Sequence, residues 1–253
     1  MSVPVLMYHH VLPESGFIAS SVEEFDRQMR FLAESGYRSL SSEEFLRYKK
    51  GELKLPGKSV FITFDDGWRD NAAYAYPILK KYRLKATIFL VTEWIEQASV
   101  GRRSDYEPLQ HKACKQTAPL DPSKVILSWD EIEKMADVFD YHSHTHTHRD
   151  AYFGSCTWEE EFTRSKEILK RRLGIDSRHF CWPRGKYDEE LMSEAKKHYE
   201  ILYTVERGIN LGDGRTDRIK RIAVKKSDRW LRKQLRIFSN PLIGSLYAKI
   251  KPQ

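Results

Sequence analysis

Apolar and polar positions alternate along this chain with two different periods. Short apolar runs recur at Val3–Val11, Ser59–Phe64, Ala86–Val91, Val138–His142, Phe180–Trp182, Ile201–Val205 and Ile219–Lys225, and each reads as a strand. Between them, apolar residues return every three or four positions, the spacing of one helix face. Ser21 precedes one such stretch with Glu24 three residues on, the pairing of a capping box, and Phe25, Met29 and Leu32 then share a face. Ser41 and Ser42 open a second helix through Phe45, Leu46 and Tyr48. Arg69–Tyr82 reads as helix with Pro77 inside it, where the missing N–H kinks or splits the helix. Trp129–Ala136, Trp158–Leu173 closed by Gly174, and Asp188–His198 complete the set. Repeated strand–helix alternation without internal repeats predicts one α/β domain with a parallel sheet, open or closed as a barrel.

Two segments depart from this rhythm. Residues 93–128 show no clear period and are expected to form a long functional loop. Residues 228–253 form a basic amphipathic segment apart from the barrel of residues 1–227. There Trp230, Leu231, Leu235 and Phe238 interleave with Arg229, Arg232, Lys233 and Arg236, and Asn240-Pro241 divides two short helices. The segment reads either as a terminal helix packed on the barrel or as an interfacial helix lying on anionic lipid.

Composition narrows the function. Hydrophobic residues are 40% of the 253, enough for a sizeable core, and no stretch approaches the roughly 20 apolar residues of a membrane span. The net charge of +7 is uneven: the chain from Arg215 onward carries +10 and the rest −3. The basic character is therefore local, which argues against a general nucleic-acid-binding domain and for a confined anionic contact. Cys114, Cys156 and Cys181 form no C-x-x-C pair, and no basic-then-apolar leader precedes the first run. The expectation is a cytoplasmic protein, peripheral to the inner membrane face through its tail.

The chemistry gathers at predicted strand ends. Thr63-Phe64-Asp65-Asp66-Gly67 places two carboxylates after an apolar strand, as a metal ligand beside a base or as an ordinary Asp-Gly turn. His142-Ser143-His144-Thr145-His146-Thr147-His148 packs four histidines into seven residues. Histidines at i and i+4 converge on one divalent ion, and two of them with one carboxylate leave positions open for water. His144/His148 and His142/His146 both have that spacing. Trp182-Pro183-Arg184-Gly185 can turn backbone N–H groups toward a ligand as an oxyanion hole, or can be a plain strand-to-helix turn. Tyr8-His9-His10 ends the first strand on the same rim.

These motifs, in this order, resemble those of the polysaccharide deacetylases, the NodB-homology enzymes of carbohydrate esterase family four. Thr63–Gly67, Ser143–His148 and Trp182–Asp188 are similar to the family's first three motifs, and Val5-Leu6-Met7-Tyr8-His9-His10-Val11 resembles the opening of its biofilm-polysaccharide branch. The resemblance implies a distorted (β/α) barrel and a metal-dependent hydrolase that removes N-acetyl groups from an amino sugar. It implies Asp65 as general base, Asp66, His144 and His148 as ligands of a divalent metal, with Zn²⁺ expected, and the Arg184 N–H as oxyanion donor. Tyr8, Trp182 and Pro183 are expected to bind substrate. Cys181 stands where many members carry an Arg that orients the base, Arg184 replaces a usual Tyr, and Arg221-Ile222-Ala223-Val224 occupies the place of a Leu-x-His. His9 is therefore assigned as general acid. The tail suggests a glycolipid or lipopolysaccharide-type precursor, with Arg102, Arg103, His111 and Lys112 of the loop contacting its acidic groups. A C–N hydrolase for a non-sugar amide and a non-catalytic carbohydrate-binding barrel are the rival readings.

Overall fold

Strands buried on both faces organise the chain, as a parallel sheet flanked by helices requires. The computed structural model describes residues 1–101, 104–149, 154–224 and 227–250. Its strands are β1 (Val5–Tyr8), β2 (His10–Leu12), β3 (Ala19–Ser21), β4 (Arg38–Ser39), β5 (Ser59–Asp66), β6 (Ala86–Leu90), β7 (Phe139–Ser143), β8 (His179–Cys181), β9 (Ile201–Tyr203) and β10 (Ile222–Ala223). The helices are α1 (Val22–Glu34), α2 (Ser42–Lys49), α3 (Tyr76–Lys81), α4 (Thr92–Ala98), α5 (His111–Thr117), α6 (Pro122–Val125), α7 (Trp129–Lys134), α8 (Trp158–Leu173), α9 (Glu189–His198), α10 (Asp228–Ser239) and α11 (Pro241–Ile250). Among the described residues no helix is long and apolar enough to cross a membrane.

The main sheet runs β10-β1-β5-β6-β7-β8-β9, all parallel, with β4 beside the start of β5. The open side is closed by the lead-in to β10. Ile219 N–H donates to the Leu202 carbonyl at 2.9 Å, and Thr204 N–H donates to the Ile219 carbonyl at 3.0 Å. The result is a distorted (β/α) barrel in a single domain. Strand alternation sorts the side chains. Val5, Phe61, Phe89, Cys181 and Tyr203 meet in one cluster, whereas Leu6, Tyr8, Ile62 and Phe64 join the larger cluster that includes the inner faces of α1, α3 and α10.

Local signals set the helix ends. Capping boxes close at Ser21/Glu24 and Ser41/Glu44, and Gly174 ends α8 with φ 69°. The expected split near Pro77 is present: a π-turn at Asn71–Ala75 hands over to α3, whose first turn holds the proline. The first apolar run breaks at His9 into β1 and β2. The 93–128 segment is not a bare loop, because α4, α5 and α6 lie across it and Cys114, Ala118, Val125 and Ile126 are buried. Its Arg102 and Arg103 lie outside the described residues. In the tail, α10 buries Leu231, Leu235 and Phe238 in the main core, as a helix packed on the barrel does, whereas α11 is largely exposed.

Candidate active site

The carboxyl ends of the strands bring three of the four motifs together. Asp65 shares strand parity with Phe61, so its side chain enters the barrel interior, where Arg221 holds it with two hydrogen bonds. Arg221 Nη1 donates to Asp65 Oδ1 at 2.7 Å and Nη2 to Oδ2 at 2.8 Å, and Arg221 Nε donates to the Thr204 carbonyl at 2.8 Å. Both partners are buried. Burial pushes the Asp65 carboxyl up, and the charges of Arg221, His144 and His9 outweigh it, leaving Asp65 below the usual carboxylate range. Cys181 Sγ lies 3.8 Å from Asp65 Oδ1. The clamp on Asp65 therefore comes from the residue just ahead of the last strand, not from the third motif.

Asp66 ends β5 in the left-handed region, φ 78°, which turns its carboxylate away from strand alternation. Oδ2 accepts the Trp68 indole N–H at 2.7 Å. Oδ1 faces His144 Nε2 at 3.3 Å and His148 Nε2 at 3.4 Å. His144 Nδ1 bonds the Cys181 carbonyl at 2.7 Å, and donation there leaves its Nε2 lone pair directed at Asp66. The histidine loop is tied from outside: Glu161 of α8 accepts the N–H groups of His146 and Thr147, each at 2.8 Å, and Thr145 Oγ1 accepts the His148 N–H at 2.9 Å. Thr145 (φ 72°) and His148 (φ 59°) are also left-handed. Backbone strain of this kind costs of order 1–3 kcal/mol per residue, and here it gathers around one carboxylate.

One carboxylate oxygen and two imidazole nitrogens, all within 4.8 Å of one another and buried, make a donor set that suits a divalent ion and leaves positions open. The alternative pair does not share the site. His142 stacks on His179 with ring centres 4.2 Å apart, and His146 Nδ1 bonds Thr92 Oγ1 at 3.0 Å.

His9 reaches the site, with Nε2 3.7 Å from Asp65 Oδ2 and its carbonyl accepting Asn71 Nδ2 at 2.9 Å. Burial lowers its pKa despite the two aspartates. His10 turns elsewhere: Nδ1 bonds Asp70 Oδ2 at 2.7 Å and Nε2 shares a hydrogen bond of 3.1 Å with His111 Nδ1 of α5. Lys112, the next loop residue expected at substrate, is exposed. Arg184 adopts φ 56°, and Gly185 beside it has φ 64°, where a Cβ would lie only 2.3 Å from Val205 Cγ2, so this turn requires glycine. Pro183 is buried within the same turn. Tyr8 and Trp182, expected at the substrate, are instead buried in the packing of the barrel. Tyr8 lies on the helix side of β1, donates to Gln28 Oε1 at 2.9 Å and stacks on Phe64. Trp182 is fully buried between Phe162, Phe180 and Trp158. Both serve packing and present no face to a ligand.

The sequence model described as Polysaccharide deacetylase matches residues 52–199, which carry Asp65, Asp66 and both converging histidines. The chain belongs to the polysaccharide deacetylase family. Among its relatives, the polysaccharide-deacetylase-like protein YxkH of Bacillus subtilis is 28% identical over 209 residues, covering 81% of this chain and 65% of the relative. The poly-beta-1,6-N-acetyl-D-glucosamine N-deacetylase of Staphylococcus epidermidis is 26% identical over 216 residues, covering 80% of this chain and 66% of the relative. The chain thus spans about two thirds of the length of these curated relatives. The Streptococcus pyogenes deacetylase PplD, solved in complex with acetate, superposes with a TM-score of 0.76 at 25% identity, covering 93% of this chain and 98% of that one.

The motifs give no role to two residues that hold the site, Arg221 and Glu161. Arg221 is the charge inside the apolar run Ile222-Ala223-Val224 begins, and an arginine entering a buried strand signals a buried acid partner. Glu161 follows two other acids at the start of α8, and only the fold distinguishes it as the one facing inward.

Proposed function

We propose that this chain is a metal-dependent hydrolase that removes N-acetyl groups from an N-acetylated hexosamine of a surface glycan. The observation that carries the reading is Asp65, a buried carboxylate clamped by Arg221 directly beside the Asp66–His144–His148 set. A divalent ion held by Asp66, His144 and His148, with Zn²⁺ suited to that donor set, supplies Lewis acidity toward the amide carbonyl and lowers the pKa of water.

The chain's own residues account for the proton movements. Asp65, kept ionised by Arg221, accepts a proton from the water whose oxygen bonds to the acetyl carbon. The oxyanion is stabilised by the backbone N–H at Arg184, in the left-handed turn after β8. His9, with Nε2 3.7 Å from Asp65 Oδ2, takes over the proton that Asp65 has accepted from water and passes it to the departing nitrogen as the C–N bond breaks. Acetate and a free amine leave.

The names of the relatives favour a β-1,6-linked N-acetylglucosamine polymer over the lipopolysaccharide-type precursor expected from the basic tail. The test is acetate release from N-acetylglucosamine oligomers, O-acetylated xylan and simple N-acetyl amines after metal removal and reloading. Release from the oligomers that disappears with Asp65→Asn supports the reading. Release only from non-sugar amides would move the chain to a different C–N hydrolase class, and binding without release would leave a carbohydrate-binding barrel.

A further inference from the structure

The base of the barrel carries a surface that the reaction does not use. α11 leaves Leu242 (83% exposed), Ile243 (53%), Leu246 (61%) and Ile250 (66%) in solvent, at the spacing of one helix face. α10 leads into it with Arg229, Arg232, Lys233 and Arg236 exposed, and Asp228 is the lone acid in the two helices. A groove of about 550 Å³ lies between α10 and the barrel, lined by Lys58, Arg232, Arg236, Tyr37, Asn240 and Pro241, and no acidic residue lines it. Pro241 belongs both to this groove and to the first turn of α11, so the cationic groove and the apolar ridge are continuous.

Their place in the barrel is fixed by the backbone. The groove includes Met1, Gly57 and Lys58, just ahead of β1 and β5. Ser2 N–H donates to the Ser239 carbonyl at 3.3 Å, and α11 packs so closely that a Cβ on Gly244 would lie 2.6 Å from Ile209 Cγ2. Asp65 and Asp66 stand at the opposite end of β5, roughly 23 Å away at about 3.3 Å per residue.

We propose that this base docks on an anionic phospholipid bilayer, with α11 in the interface and the arginines of α10 at the headgroups. A surface of Leu and Ile flanked by Lys and Arg fits that occupant, combining apolar burial with charge attraction. A second copy of this chain would bring the cationic grooves of both copies together, which charge disfavours. Docked this way, the reactive face points away from the lipid. That geometry deepens the proposed function: it fits a polymer reaching the enzyme from outside the bilayer and disfavours a sugar held at the headgroup plane.

The test is co-sedimentation of the full chain with phosphatidylcholine vesicles, with and without about a third phosphatidylglycerol. Binding is expected only to the anionic vesicles and is expected to weaken with salt. Leu242→Glu with Leu246→Glu should abolish it, and Lys233→Glu or Arg236→Glu should each lower partitioning at least about fivefold. Circular dichroism checks that these exposed changes leave the fold intact. Orientation is read in a Cys156→Ser background by labelling with a membrane-impermeant maleimide. Leu246→Cys should become protected on vesicles, while Lys112→Cys on α5 stays reactive. Absent binding, binding unaffected by the variants, or a concentration-dependent dimer broken by Leu246→Glu would overturn docking. Protection of Lys112→Cys would overturn the outward-facing geometry. None of these readouts requires activity, so they stand or fall separately from the deacetylase reading.

Discussion

Asp65 and Asp66 are neighbours in sequence, yet one faces Arg221 and the other faces two histidines, so their loss has different consequences. Asp66→Ala, His144→Ala and His148→Ala should each weaken metal binding strongly, because each removes a donor. Asp65→Asn should keep the metal and lose most turnover. Calorimetric titration of metal beside initial rates separates the two classes, and equal metal loss in both would reverse the assignment of the carboxylates. Arg221 acts through Asp65 and is a positioning residue. Burial raises the Asp65 pKa and the Arg221 charge offsets it, so Arg221→Met should move the acid limb of the kcat/KM profile to higher pH. It also leaves a buried carboxylate unpaired, at a cost of about 3–5 kcal/mol in stability. Arg221→Lys retains the charge without the two-pronged geometry, and should recover most of the pH profile and less of kcat. A profile unmoved by either change would leave Arg221 a structural residue only.

At the scale of elements, the supports of the histidine loop come from a different helix. Glu161→Gln keeps the size of the side chain and removes the charge that accepts the His146 and Thr147 N–H groups, so metal affinity should fall about 10–100-fold with the fold retained. Measured affinity equal to that of the parent chain would show that the loop holds its own shape. The same dependence on distant partners explains what the sequence made legible. α1, α2 and α8 were readable to within a residue or so, because capping boxes at Ser21 and Ser41 and the glycine at Gly174 act locally. α5 and α6 were not, since helices of 7 and 4 residues have little stability of their own and form here by burying Cys114 and Val125. The Asp65–Asp66 pair and the histidine cluster were legible as chemistry. Spacing alone leaves His144/His148 and His142/His146 equivalent, the family resemblance selects the first pair, and the structure sets that pair against Asp66. Arg221 was unreadable as a clamp because its partner lies 156 residues away. The tail illustrates both limits: its periodicity gave two helices, and only packing shows that α10 belongs to the core. Leu235→Ala should therefore cost about 2–5 kcal/mol, whereas Leu242→Ala on exposed α11 should fall within about 0.5 kcal/mol of the parent in urea unfolding.

Across the whole molecule, the barrel buries titratable groups that the reaction does not use, and these set its response to acid. His179 stacks on His142, and its Nδ1 bonds the Tyr203 hydroxyl at 2.9 Å. Burial, helped by the neighbouring His142, holds the His179 pKa well below its ordinary value, and burial pushes His142 down to about 3. In the unfolded chain an imidazole takes up its proton near pH 6.5. Below that pH the unfolded state therefore binds more protons than the folded state, and stability falls as the pH falls. Above pH 6.5 neither state binds the proton, and this contribution is fully present and flat. Each such histidine adds a slope of roughly 1.4 kcal/mol per pH unit once the pH is well below 6.5 and still above the folded pKa. The carboxylates Asp65 and Asp66 act in the same direction, but only below the ordinary carboxylate range near pH 4. In the window between pH 6 and 4.5 the histidines are opposed by Glu93, whose carboxyl burial pushes up to about 7, so the comparison of a variant with the parent chain isolates His179. His179→Gln replaces a ring that resists protonation with an amide that does not titrate and can still meet the Tyr203 hydroxyl. Urea unfolding of the metal-loaded protein at half-unit steps through this window should show a shallower loss of stability in the variant, by about one proton. Parallel pH dependences for the two proteins would mean that His179 is protonated in the folded barrel, and that the stacked pair tolerates charge despite its burial.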